Sequence, residues 1–225
     1  MFTAQDSHYM NRAIQLAKRG EYTSDPNPRV GCVIVRSSDN ESGSIVGEGW
    51  HEAAGLGHAE IVALKNVRGE VRGATAYVTL EPCSHHGRTP PCKDALINAG
   101  VSKVIVAMED PNPQVGGKGI EALRQAGIEC LVGLLEDEAR QLNPGFIRRM
   151  NHRLPWVRVK LAMSLDGRTA MDNGESQWIT GPQARLDVQS LRARSSAIIT
   201  GVNTVIDDDA ALTVRIDNWT EPYCS

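Results

Sequence analysis

Between Arg29 and Arg149, short apolar runs alternate with helical stripes, and this alternation restricts the possible folds most. Arg29–Val35 (RVGCVIV) reads as a strand, with Ile45–Trp50 as its hairpin partner across the polar stretch Ser37–Ser44. Glu60–Val67 has helical spacing, Ala74–Leu80 (ATAYVTL) reads as a strand, and Cys92–Ala99 as a helix stopped by Gly100. Lys103–Met108 is a continuous apolar strand of the kind buried in a sheet. A helix over Ile120–Ala126, a strand over Ile128–Val132 and a helix over Glu136–Arg149 follow. Upstream, Tyr9–Lys18 carries Met10, Ala13, Ile14, Leu16 and Ala17 on a helical stripe ended by Gly20. Pro26-Asn27-Pro28 imposes an extended loop, because residues before proline avoid the helical region. Strands interleaved with helices predict an α/β domain over residues 1–150.

Arg153-Leu154-Pro155 reads as a boundary. Beyond it, Trp156–Ala162 (WVRVKLA) is expected as a strand, Leu165-Asp166-Gly167 as a turn, Pro182–Arg194 as a helix and Ala197–Thr200 as a second strand. Residues 151–225 thus open a second α/β domain.

Composition excludes several classes. With 41% hydrophobic residues and a net charge of −3, the chain is not of the disordered type. A pI near 6.1 lacks the basic field of a non-specific nucleic-acid binder, so no nucleic-acid partner is expected. No apolar run approaches the ~18 residues of a membrane span, and Met1–Gly20 has no apolar signal core, so no membrane partner is expected. Five scattered cysteines do not make a disulfide framework and suggest a reducing, cytoplasmic setting.

The strongest chemical signal is His58-Ala59-Glu60, followed by Pro82-Cys83 and Cys92. One imidazole and two thiolates form a zinc set that leaves the fourth tetrahedral position for water. Zinc lowers the pKa of that water towards neutrality. Glu60 is then a carboxylate suited to move a proton from the nucleophile to a leaving amine. Residues two apart on a helix do not share a face, so His58 and Glu60 converge only at the first turn of their helix. Cys92 opens its own helix, where the dipole favours a thiolate. All three ligands would lie at one end of the sheet. A structural zinc site remains the bland alternative, with His85 or His86 as fourth ligand. Cys32 and Cys130 read as core, Cys224 as incidental, and His8 and His152 as surface residues. Gly116-Gly117-Lys118-Gly119 lacks P-loop spacing and reads as a turn; Gly47-x-Gly49 reads as a hairpin feature.

The H-x-E and P-C elements match the zinc deaminase signature, although eight residues rather than two separate the cysteines. The string PCSHHGRTPPC resembles the bifunctional deaminase–reductase family of riboflavin biosynthesis. Pro26-Asn27-Pro28 with Val30-Gly31, Gly49-Trp50-His51 and Asp110-Pro111-Asn112-Pro113 carry the same resemblance. It extends through Lys160–Arg168, Gly174–Thr180, Thr204–Asp208 and Leu212–Arg215. The resemblance implies a cytidine-deaminase-like three-layer domain followed by a partial α/β domain similar to dihydrofolate reductase. It implies a hydrolase that deaminates a phosphoribosylated diaminopyrimidinone, and an NADPH-dependent oxidoreductase that opens and reduces the ribose.

Carried over position by position, it assigns zinc to His58, Cys83 and Cys92, and proton transfer to Glu60. Asn27, His51, His85 and Arg88 would form the deaminase substrate pocket. Ala162, Trp178, Thr204 and Asp208 would meet NADPH, and Ser176, Arg192, Leu212 and Arg215 the reductase substrate. A homo-oligomer is favoured. About 75 residues beyond the boundary are few for a whole reductase of this type, so an interrupted domain and weak NADPH binding are expected. Two rivals stay open: a deaminase of tRNA or free bases, and a non-catalytic zinc module serving assembly.

Overall fold

Thr3 starts the first helix, α1 (Ala4–Ala17), through a capping box in which its hydroxyl accepts from the Asp6 amide and Asp6 accepts from the Thr3 amide. The helix therefore begins ahead of the apolar stripe at Tyr9. The computed structural model describes residues 1–36, 43–85, 90–113 and 115–216. They fall into two compact units, Met1–Trp156 and Val157–Ser225.

In the first unit, β1 (Gly31–Arg36), β2 (Ser44–Trp50), β3 (Thr75–Val78), β4 (Lys103–Val106) and β5 (Glu129–Val132) form one sheet in the order β2-β1-β3-β4-β5. β1 runs antiparallel to both β2 and β3, whereas β3, β4 and β5 are parallel. The expected hairpin is present, with a register shift between Ile34 and Val35.

Strand alternation splits the core into two layers. Cys32, Ile34, Ala76, Val78, Val104 and Val106 pack against α2 (Ala59–Lys65), α3 (Cys92–Ala99) and α4 (Lys118–Gln125). Val33, Val35, Tyr77 and Ile105 pack against α1, α5 (Glu136–Leu142) and α6 (Pro144–His152). The result is the three-layer α/β domain. Cys32 and Cys130 are both buried in it, as their apolar surroundings implied. Two glycines set the layer spacing. A Cβ at Gly31 would overlap the backbone of Ala13 in α1, and one at Gly49 the backbone of Ala59 and Ala63 in α2. Gly49 thus belongs to the seating of α2 on the sheet, a role beyond the hairpin.

One helix was expected over Glu136–Arg149, but there are two, α5 and α6. Asn143 precedes Pro144 and leaves the helical region, at φ −129° and ψ 44°, and Pro144 starts α6.

The second unit contains α7 (Pro182–Ala193) and α8 (Val202–Asp208). The turn expected at Leu165–Gly167 is present, closed by the Gly167 amide donating to the Ser164 carbonyl. The two strands expected at Trp156–Ala162 and Ala197–Thr200 are not formed, and no strand occurs among described residues 157–216. Val157, Val159 and Leu161 are 73%, 77% and 69% exposed. A strand exists only through hydrogen bonds to a neighbour, and among the described residues none joins the backbone of 156–162 or 197–200 to another segment.

Candidate metal centre and active site

His58 caps α2 in an extended conformation, at φ −69° and ψ 163°. It therefore stands just outside the helix, while Glu60 lies in the first turn. That placement lets side chains two residues apart converge, which a continuous helix would prevent. Cys92 is the first residue of α3, and Cys83 lies on the segment that leaves β3. The Cys92 amide donates to Cys83 Sγ at 3.3 Å, so the start of α3 helps hold a thiolate.

His58 Nδ1 lies 3.3 Å from Cys92 Sγ and 3.5 Å from Cys83 Sγ, and the three ligand atoms lie within 4.8 Å of one another. A tetrahedral zinc, about 2.3 Å from sulfur and about 2.0 Å from nitrogen, would hold such donors roughly 3.5 Å apart. The donor set fits zinc in both chemistry and spacing. Among the described residues the cluster has three members and does not include His85. His86, the other candidate fourth ligand, lies outside the described residues.

Glu60 is buried, and its carboxyl is within hydrogen-bond reach of Cys92. Burial pushes its pKa up to about 7. Cys83 is pulled down to about 4, chiefly by the hydrogen bond from Cys92 and also by that from His58. Cys92, holding the proton it shares with Cys83, is raised.

His51 is buried beside the metal ligands, its ring edge-on to His58 with centroids 5.5 Å apart. Its Nδ1 faces the Gly57 carbonyl at 3.1 Å, and a carbonyl can only accept. Nδ1 therefore carries the proton, and Nε2 accepts from Asn27 Nδ2 at 3.1 Å. Both ring nitrogens are engaged within the protein, and burial lowers the ring's pKa. The structure thus brings Asn27, His51, His58, Glu60, Cys83 and Cys92 together. His85 is exposed beyond Cys83, and Arg88 lies outside the described residues.

In the second unit, Arg192 of α7 donates to the carbonyls of Ala211 and Thr213, at 3.1 and 3.0 Å, flanking Leu212. Arg215 donates to the same Ala211 carbonyl at 2.8 Å. Arg192, Leu212 and Arg215 are therefore gathered at one place. Thr204 and Asp208 share α8, one turn apart. Ala162 is half-buried, whereas Ser176 and Trp178 are exposed. The Trp178 ring carries the Arg185 guanidinium 4.4 Å from its centroid.

Two residues that shape the site escaped the sequence reading. Glu81, directly before Pro82-Cys83, is 4% exposed, and its carboxylate accepts from the amides of Asp110, Gly117, Gly119 and Ile120. It ties the Cys83 segment to the start of α4. The sequence signal was an acidic residue at the end of an apolar strand, answered by the glycine-rich run at 116–119. Glu81→Gln is expected to lower stability by about 2–3 kcal/mol, because an amide nitrogen then faces backbone donors in a buried place. Urea unfolding measures this, and an unchanged midpoint would show that the carboxylate is not holding the loop. The second residue is Asn143, in the break between α5 and α6.

The chain is similar to known proteins along both of its parts. Residues 3–108 match the cytidine and deoxycytidylate deaminase zinc-binding region, and residues 155–223 match the RibD C-terminal domain. The riboflavin biosynthesis protein RibD of Escherichia coli is 60% identical over 217 residues, covering 96% of this chain and 57% of that protein. Its counterpart in Aquifex aeolicus is 49% identical over 210 residues, covering 93% of this chain and 58% of that protein. The structure of Acinetobacter baumannii RibD superposes with a TM-score of 0.88 at 55% identity, covering 96% of this chain and 59% of that one. A Thermotoga maritima diaminohydroxyphosphoribosylaminopyrimidine deaminase/5-amino-6-(5-phosphoribosylamino)uracil reductase also gives 0.88, at 42% identity, covering 97% of this chain and 61% of that one. The chain thus spans somewhat more than half the length of these relatives. Along nearly all of its own length, the chain is similar to riboflavin biosynthesis proteins of the RibD type.

Proposed function

We propose that the first unit catalyses zinc-dependent hydrolytic deamination of 2,5-diamino-6-(5-phosphoribosylamino)pyrimidin-4(3H)-one, yielding 5-amino-6-(5-phosphoribosylamino)uracil and ammonia. The observation that carries this reading is the buried Glu60 carboxylate beside a converged His58, Cys83 and Cys92 set. Zinc bound there supplies a Lewis acid that makes water a competent nucleophile at neutral pH. The chain's own groups do the rest. Glu60 takes a proton from the attacking water and delivers it to the ring nitrogen. A second proton passes through Glu60 to the amino group, the C–N bond breaks, and ammonia leaves as the carbonyl forms. Asn27, its amide turned by His51, offers Oδ1 and one N–H to the edge of the pyrimidine ring. His85 and Arg88 serve the phosphoribosyl end. Thiol ligands of this kind suit a reducing compartment, and the cytoplasm is the proposed location. No described helix is long and apolar enough to cross a membrane.

NADPH-dependent reduction of the ribosyl chain is assigned to the second domain of the family. Arg192 and Arg215 suit the sugar phosphate. Among the described residues, no hydrogen bond, ion pair or ring contact brings Ala162 or Trp178 to Thr204 and Asp208, and Arg185 covers a face of Trp178. Ala162, Trp178, Thr204 and Asp208 are the positions proposed to meet NADPH.

Zinc-loaded protein is expected to release ammonia from the phosphoribosylated diaminopyrimidinone, with mass spectrometry showing the uracil product. Release from a base in tRNA or a free base, and none from this substrate, would overturn the assignment. Zinc binding without hydrolysis of any pyrimidine would support a non-catalytic module.

A further inference from the structure

We infer that Asn143, remote in sequence from every ligand and outside the matched zinc-binding region, is a positioning residue that holds the substrate loop 26–29 and acts through Asn27. It sits in the break between α5 and α6 and is 7% exposed. Its Oδ1 accepts from the Arg29 amide at 2.8 Å, and its Nδ2 donates to the Arg29 carbonyl at 2.8 Å. One side-chain amide thus satisfies both backbone groups of a loop residue, as a neighbouring strand would.

The Arg29 guanidinium also pairs with Glu21 at 3.6 Å, but the backbone of the loop offers few donors of its own. Pro26 and Pro28 have no N–H, so only Asn27 and Arg29 can donate from the backbone. The Asn27 amide goes to the Ser24 carbonyl at 2.8 Å, and the Arg29 amide goes to Asn143. A second tie also comes from α6, where Arg149 Nη2 donates to the Pro26 carbonyl at 2.8 Å.

The contacts continue to the metal centre. Asn27 Nδ2 meets His51 Nε2, His51 Nδ1 donates to Gly57, and Gly57 precedes His58. The His51 amide also donates to Val30, next to Arg29. Releasing Arg29 therefore loosens the base on which Asn27 is aimed, while Cys83, Cys92 and Glu60 keep their own supports on α3, β3 and α2.

This inference rests on the deaminase reading, and a double-mutant cycle tests it separately. Asn143→Ala is expected to lower kcat/KM roughly tenfold, mostly through KM, with the parent's zinc content. In an Asn27→Ala background the same change is expected to alter kcat/KM less than about twofold. Arg149→Ala, at an exposed position, is expected to raise KM in the same direction by about twofold to threefold. It replaces Asn143→Ala in the cycle should that variant not fold. Unchanged kcat/KM in Asn143→Ala, or effects that multiply with those of Asn27→Ala, would overturn the inference. A parent chain without ammonia release would count against the deaminase reading instead. The cycle is then read on calorimetric binding of the uracil product, with the same non-additivity expected and multiplying effects again overturning it.

Discussion

Glu60→Gln is expected to abolish measurable ammonia release, with a fall of about 10²–10⁴-fold in kcat, while zinc content stays at the parent level. The expected split follows from where Glu60 sits. It is 3% exposed in the first turn of α2, and the ligand His58 stands outside that helix at its cap. Glutamine keeps the volume and the packing, so α2 and His58 should not move. It also removes a negative charge beside Cys92, which leaves the thiolates less opposed to ionisation. Glutamine cannot take up and return a proton, and both proton transfers in the proposed reaction pass through this one group. Metal analysis and an ammonia assay on the same preparation read the two halves together. Retained turnover would remove Glu60 from the mechanism. Loss of zinc with turnover would make Glu60 part of the metal site instead.

The chemistry was more legible in the sequence than the supports that hold it in place. His58, Cys83 and Cys92 could be named because zinc restricts its ligands to few residue types, whatever the fold around them. The α3 stop at Gly100 was legible because a left-handed end, φ 75° here, selects glycine. The buried strand around Val104 and Ile105 was legible because its residues are apolar on both faces.

What escaped depends on partners distant in sequence. Glu81 and Asn143 look polar and unremarked until folding brings backbone amides and carbonyls to them across 29 to 39 and 114 residues. The break at Asn143 was written locally in Asn143-Pro144, but apolar spacing continues through it and hid the punctuation. Thr3 and Asp6 likewise form a capping pair written locally in the sequence, ahead of the point where the apolar stripe begins. Trp156–Ala162 shows the converse limit. Its residues have strand character, but a strand also needs a neighbour, and local pattern says nothing about whether one is present.

Cys92→Ser is expected to cost the protein its zinc and, with the zinc, its deaminase activity. Cys92 Sγ lies 3.3 Å from His58 Nδ1, and the residue is 1% exposed at the start of α3. A hydroxyl is a poor substitute for a thiolate at a borderline-soft ion, so affinity should fall by more than about 100-fold. Folding should be less affected. Serine is close to cysteine in size, is favoured near helix starts, and its hydroxyl would have Cys83 and Glu60 as partners. Zinc analysis after dialysis against a weak chelator, with urea unfolding of the metal-free forms, separates the two effects. Metal content equal to the parent would exclude Cys92 as a ligand. Paired with Glu60→Gln, the variant also tests whether this is a catalytic or a structural centre. A structural site predicts that losing zinc lowers stability and that losing the Glu60 proton carrier changes nothing measurable. A catalytic site predicts that both variants stop ammonia release, one with its metal and one without.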